Sequence, residues 1–238
     1  GLGDVYKRQL WACFAAEGLP MKRNKGKGLI LLGLLLIAAA LFLAAYNLYD
    51  GARAERSARQ AASRLAALTP TEAPSTPAAL PAEEAAAPEE IELPDYVLNP
   101  QMEMPVAEMD GIGYIGTLRI PALELELPVI GEWSYPNLKI APCRYVGSAY
   151  LNTLVIAAHN YQSHFGTLKN LSEGDAVTFT DMDGNLFCYE VAVLETLPPT
   201  AIAEMTASDY DLTLFTCTLG GANRVTVRCD RVMPEDMP

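Results

Sequence analysis

Three residue types with complementary chemistry stand at the ends of strand-like runs in this chain. Leu212-Thr213-Leu214-Phe215-Thr216-Cys217 is a short apolar run that delivers a cysteine at its end. Gly220-Gly221 supplies a turn, and Arg224 opens the next run, Val225-Thr226-Val227. Upstream, Leu154-Val155-Ile156-Ala157-Ala158 ends on His159. Cysteine, histidine and arginine supply a nucleophile, a proton carrier and an oxyanion stabiliser. The thiolate is the attacking form, and a thiol of pKa ~8.5 is mostly protonated at neutral pH, so a nearby base is required. A cysteine taken alone reads as a small buried hydrophobe. The strand-end position before two glycines, with an arginine next, favours the nucleophile for Cys217.

The chain has two histidines. His164 follows the polar stretch Tyr161-Gln162-Ser163 and reads as exposed surface, so His159, at a strand end, is the candidate proton carrier. Arg224 competes with Arg228 and Arg231. Residues 224, 226 and 228 share one face of a strand, which makes Arg228 the second choice or a cross-strand ion-pair partner.

The elements that must position these residues are mostly strands. Gly113 to Ile120, Leu125 to Ile130, Leu154 to Ala158, Ala176 to Thr180, Leu186 to Leu197, Leu212 to Thr216 and Val225 to Val232 read as short β-runs. Asp183-Gly184 between two of them is a hairpin signal. Thr167 to Leu171 suggests one helical turn. Glu124 and Glu126 alternate with leucines and read as the solvent face of a strand. Short strands with frequent turn signals predict an all-β domain with short helices, a closed or nearly closed barrel over residues 96–238.

At these residues the chain resembles the sortases, the cysteine transpeptidases of Gram-positive cell surfaces. The family motif is Thr-Leu-x-Thr-Cys followed within about ten residues by Arg, and here Thr213-Leu214-Phe215-Thr216-Cys217 precedes Arg224. His159 follows an apolar strand as the family's histidine does. Ile115-Gly116-Thr117-Leu118-Arg119-Ile120-Pro121 and Leu127-Pro128-Val129 resemble the family's opening strands, so the likeness runs from Gly111 to Val232. The resemblance implies a sortase β-barrel in which Cys217 attacks the Thr–Gly bond of an LPxTG-like sorting signal and forms a thioester. An amine of a cell-wall precursor or a pilin then releases the product. The catalytic set implied is Cys217, His159 and Arg224. The loop Pro198 to Met205 implies a wall of the signal groove, with Ile202, Ala203 and Met205 as apolar contacts, and Thr216 beside the cysteine as a further contact or hydrogen-bonding neighbour, as is Asn160. Some sortases bind calcium near an early loop, but no metal and no cofactor are expected here. Leu197 to Asp211 is too short for the helical insertion of the haem-uptake class. No C-terminal span of the kind found in pilus-polymerising members is read, leaving a housekeeping or class D/E-like member.

Two rivals remain. An L,D-transpeptidase-like peptidoglycan acyl transferase would carry Ser-x-Gly-Cys-x-Arg, whereas six residues separate Cys217 from Arg224. A catalytically silent surface-binding module has no use for the cysteine, histidine and arginine together.

The remainder reads as an anchor and spacer. Leu29 to Tyr46 is apolar over about 27 Å of helix, enough to span the hydrocarbon core. Lys22-Arg23-Asn24-Lys25-Gly26-Lys27 before it predicts a cytoplasmic N-terminus and an extracellular catalytic domain, single-pass through residues 29–49. No small-x-small cleavage site follows the run, which argues for an uncleaved signal anchor over a signal peptide. Residues 1–20 read as a leader outside the natural start, residues 21–28 as a cytoplasmic stub, and Asp50 to Leu68 as an Ala- and Arg-rich helix leaving the membrane. Thr69 to Asp95, with prolines at 70, 74, 77, 81, 88 and 94, reads as an extended stalk. The formal net charge is −12, and the stretch from Thr69 to Asp110 holds ten acidic residues and no Lys or Arg, which argues against nucleic-acid binding. Five cysteines without paired spacing form no metal motif, and Cys143, Cys188 and Cys229 read as buried hydrophobes.

Overall fold

A computed structural model describes residues 24–67, 93–207 and 209–236. The expected leader at residues 1–20 and nearly all of the expected stalk lie outside the described residues. The chain divides into two compact units, Gly1–Leu48 and Tyr49–Pro238.

Helix α1 (Asn24–Ala66) begins in the first unit. Its apolar part is long and apolar enough to cross a membrane, and none of that window is buried against protein.

The second unit is a β-barrel. Its strands are β1 (Ala107–Met109), β2 (Ile112–Ile120), β3 (Leu125–Ile130), β4 (Cys143–Val146), β5 (Leu154–Ala157), β6 (Ala176–Asp181), β7 (Leu186–Leu197), β8 (Leu212–Cys217) and β9 (Arg224–Val232). Neighbours run β2-β3-β4-β5-β8-β9-β7-β6, and β6 pairs back onto β2 through Gly116↔Asp181 to Arg119↔Thr178. Eight strands therefore close a ring, with β1 appended to β2 as a short hairpin strand. Closure leaves no open edge among the eight. Short helices α2 (Asp95–Leu98), α3 (Tyr135–Leu138) and α4 (Ile202–Met205) sit in the connections.

The expected closed barrel is present, and the expected runs fall on strands β2, β3 and β5–β9. Their apolar residues fill the interior: Ile115, Leu118, Leu154, Ile156, Phe179, Phe187, Tyr189, Leu214 and Val227 are fully buried. The sequence reading omitted β1 and β4, which are three and four residues long and carry little pattern. It also placed Glu124 on a strand. Glu124 instead ends a 3-10 turn in the left-handed region at φ 53°, and only Glu126 lies on β3, solvent-exposed. The expected turn at Thr167–Leu171 is a 3-10 turn over Leu168–Asn170.

Two local features fix the barrel. At Gly116 the β2 ladder shifts register, and a Cβ there would lie 2.1 Å from the Thr180 carbonyl oxygen and 2.8 Å from the Phe179 ring. Only glycine permits that approach of β6. At the β6–β7 hairpin, buried Asp181 accepts from the Asp183 and Asn185 amides at 3.0 and 2.9 Å through Oδ1. Its Oδ2 accepts from the Tyr150 hydroxyl at 2.7 Å and the Asn185 amide group at 2.8 Å. The hairpin signal thus owes its strength to the carboxylate as well as to the glycine. Cys143, Cys188, Cys217 and Cys229 are all free thiols, and all but Cys217 are buried.

Candidate active site

Strands β5 and β8 run parallel, Leu154↔Leu212 through Ala157↔Phe215. Parallel neighbours end at the same rim. Two contacts carry the register one step further. The Ala158 amide donates to the Phe215 carbonyl at 3.2 Å, and the Thr216 hydroxyl donates to the Ala158 carbonyl at 2.8 Å. The next residues on the two strands are His159 and Cys217. On the other side of β8, antiparallel β9 pairs Cys217 with Arg224. Three adjacent strands therefore bring His159, Cys217 and Arg224 to one rim of the barrel.

The turn joining β8 to β9 is closed by Thr218, which accepts from Gly221 and donates to Asn223 through its backbone. Its hydroxyl oxygen accepts from the Asn223 amide at 3.0 Å. Gly220 and Gly221 are both in the left-handed region, at φ 82° and 75°, which two consecutive side-chain-bearing residues adopt only with strain. The Arg224 guanidinium donates to the Gly221 and Asn223 carbonyls at 3.1 Å, so it is held by the turn it closes.

Alternation on the strands separates two faces. Leu212, Leu214 and Thr216 are buried inward, whereas Cys217 and Phe215 are half-exposed on the outer face. Thr226 and Arg228 lie opposite Phe215 and Thr213 on that face. Phe215 meets Tyr145 edge-on at 5.3 Å, Tyr145 meets Trp133 edge-on at 5.8 Å, and Trp133 meets Tyr135 at 5.2 Å. These rings form an aromatic file beside the cysteine strand.

Helix α4 lies in the loop between β7 and β8. Ile202 and Ala203 are exposed, whereas Met205 is buried at 4% exposure. The loop is gripped by Arg228, itself 3% exposed. Its guanidinium donates to the Glu204 carbonyl at 2.6 Å, the Met205 carbonyl at 3.2 Å, the Thr213 hydroxyl at 3.1 Å and the Glu195 carboxylate at 2.9 Å. The ion-pair alternative for Arg228 is thus the one realised. Sequence reasoning named Arg228 but not this grip, because Glu195, Glu204 and Met205 belong to other elements. Thr216 is buried and its hydroxyl is committed to Ala158, joining the two strand ends.

His159 is half-buried, and its Nε2 is enclosed without a hydrogen-bond partner. Burial lowers its pKa, Lys139 lowers it further, and Asp50 acts in the opposite direction. The net effect favours the neutral imidazole, the form that accepts a thiol proton. Its ring lies 5.0 Å from Tyr161, whose other neighbour is His164 at 5.5 Å. His164 is fully buried, which corrects its reading as an exposed loop residue. The Ala54 backbone of α1 acts on the His164 ring. Among the described residues no group of three or more His, Cys, Asp or Glu side chains is placed to hold a metal ion.

No curated protein matches this chain. Solved structures similar to it include sortase C1 of GBS pilus island 1, at 22% identity and TM-score 0.45, over 50% of this chain and 64% of that one. Sortase A from Corynebacterium diphtheriae is similar at 25% identity and TM-score 0.46, over 60% of this chain and 70% of that one. A Clostridium perfringens sortase D5 transpeptidase is similar at 19% identity and TM-score 0.45, over 50% of this chain and 79% of that one. The family model described as the sortase domain matches residues 118–232, from within β2 to the end of β9. Residues 118–232 therefore carry a sortase domain, the domain of a family of cysteine transpeptidases.

Proposed function

We propose that this sortase cleaves an LPxTG-like sorting signal between Thr and Gly and transfers the acyl group to an amine of the cell wall or of a pilin. Cys217 is the nucleophile, His159 the proton carrier and Arg224 the oxyanion stabiliser. The observation that carries the reading is the strand register, which sets these residues on neighbouring strands at one rim.

The reaction follows from their chemistry. His159 accepts the thiol proton, and the Cys217 sulfur attacks the threonine carbonyl carbon. The carbonyl oxygen becomes an oxyanion beside the always-charged Arg224 guanidinium. The C–N bond to glycine breaks, the departing amine takes the proton from His159, and a thioester remains. The acceptor amine then attacks the thioester carbonyl, loses a proton to the imidazole, and expels the thiolate. Exposed Ile202 and Ala203, with the aromatic file from Phe215, supply apolar walls for the signal. Buried Met205 supports the wall from beneath. The apolar part of α1 anchors the enzyme in the membrane with the barrel outside.

The test uses the full chain in detergent with a panel of Leu-Pro-x-Thr-Gly peptides and an amine acceptor, read by mass spectrometry beside Cys217→Ala. Cleavage after Thr with transfer to the amine, lost in the variant, is the expected result. Its kcat/KM should be bell-shaped in pH, with the limbs belonging to the coupled Cys217/His159 pair. Absence of both cleavage and thioester adduct on the unaltered chain refutes the sortase reaction on these signals and favours the silent binding module.

A further inference from the structure

Residues 50–66 precede the matched sortase domain, yet they pack into its core. Ala54, Ala58, Ala61 and Leu65 follow one another at helical spacing and are 8% exposed or less. Ala58 belongs to the main core with Phe165 and Leu168, and Ala61 and Leu65 belong to a second cluster with Tyr114, Ile130 and Ala157. Alanines let a helix axis approach a sheet closely. This part of α1 lies within the same compact unit as the barrel.

One turn before that stripe, the Asp50 carboxylate accepts a hydrogen bond from the Tyr161 hydroxyl. The Tyr161 ring lies against the His159 ring, tilted by 43°. A carboxylate, a phenol and an imidazole therefore stand in sequence, with the carboxylate on α1 and the other two on the β5–β6 connection. The geometry points to Asp50 as a positioning residue for His159, acting through Tyr161, so that the docked second half of α1 is part of the working site.

Fixing the phenol oxygen removes the freedom of the ring to swing, and the fixed ring limits the rotamers open to His159. The carboxylate also contributes charge. The groups acting on or packed against His159 are Lys139, the residue after α3, Asp50 of α1, and Tyr161 and His164 of its own connection, with Cys217 and Arg224 at the neighbouring strand ends. Arg53, one helical turn beyond Asp50, approaches the same carboxylate at 4.0 Å. Asp50 opposes the effects of burial and Lys139 on His159. A histidine that must first accept and later return a proton works best near the ambient pH, and Asp50 moves it in that direction.

The consequence for turnover rests on the proposed sortase reaction, but the coupling itself is measurable without it. The chain has two histidines, so isotope labelling of histidine gives a titration of each by NMR in the full chain in detergent. The expected result is a lower His159 midpoint in Asp50→Asn and in Tyr161→Phe, no further lowering in the double variant, and restoration in Asp50→Glu. In the kcat/KM profile the limb belonging to His159 moves the same way, with kcat falling more than KM rises. Near-ultraviolet circular dichroism identical to the parent confirms that each variant is folded, and Tyr161→Phe serves where Asp50→Asn is not. An unchanged His159 midpoint in the folded variants, or midpoint shifts that add in the double variant, overturns the proposal. If the midpoint shifts while the unaltered chain turns over no peptide, the coupling stands and the sortase reaction fails. If turnover is present and the midpoint is unmoved, the coupling alone fails.

Discussion

Acidification to pH 4 should destabilise the barrel through His164. Its ring is fully buried, and neither ring nitrogen has a hydrogen-bond partner. Burial, reinforced by the nearby His159 charge and opposed by the Ala54 backbone, pushes its pKa down to about 4. In the unfolded chain it returns to the usual ~6.5. The folded value lies below the unfolded one, so the stability due to the neutral ring is fully present above pH 6.5. It is lost as pH falls towards 4, because the unfolded state then binds a proton that the folded state refuses. Each pH unit in that window removes about 1.4 kcal/mol, and about 3 kcal/mol is gone at pH 4. Against a typical domain stability of about 5–15 kcal/mol this is a large share.

Urea unfolding of the full chain in detergent, followed by near-ultraviolet circular dichroism at pH 7, 6, 5 and 4, measures the loss. Carboxylates titrating in the same range contribute to it, so the comparison is with His164→Phe. The Ala54 backbone of α1 is the group that favours the charged ring, so an apolar ring gives up that contact and removes the need to charge. The variant should lose about 3 kcal/mol less than the parent between pH 7 and pH 4. His164→Leu provides the same comparison with a smaller side chain. Equal losses in parent and variants would refute the reasoning and mean that His164 protonates in place.

Two further outcomes follow from contacts described above. Arg228→Met abandons two carbonyls, the Thr213 hydroxyl and the Glu195 carboxylate. It should cost about 2–3 kcal/mol in urea unfolding and raise the peptide KM more than it lowers kcat, with Arg228→Lys recovering part of both; an unchanged KM would show that α4 holds its place without the grip. Leu65→Ala, at a site 1% exposed, should cost about 2–5 kcal/mol and speed amide exchange in residues 50–66 before the barrel strands; uniform exchange across both would mean that helix and barrel open as one unit.

The strands and the candidate Cys217, His159 and Arg224 were legible because local pattern states them. An apolar run with a chemically distinctive residue at its end needs no partner to be recognised. Parallel and antiparallel pairing then brings those ends together. The fit of α1 against the barrel was not legible. Its stripe of three alanines and a leucine has no contrast inside an Ala-rich segment, so no amphipathic period stands out. His164 was misread for the same reason: a polar loop is solvated only if nothing packs on it, and Ala54 and Ala58 of α1 reach His164 and the core around Phe165. The grip of Arg228 on α4 depends on carbonyls, which have no sequence signature.

These misses share a cause that bears on the enzyme. The residues proposed to touch substrate are set by neighbouring strands, whereas the groups that set the proton affinity of His159 arrive from elsewhere. Asp50 meets Tyr161 across 111 residues of chain, and Lys139 caps the end of a separate short helix. Burial disfavours the charged imidazole of His159, and Lys139 adds to that. The compensating carboxylate is carried by the helix whose other half is apolar enough to cross a membrane. A barrel cut free at Tyr96 would lose Asp50 together with the core contributions of Ala58, Ala61 and Leu65. Such a truncation keeps every residue of the motif and discards the element that tunes one of them, so the full chain is the form in which the chemistry of this site is to be measured.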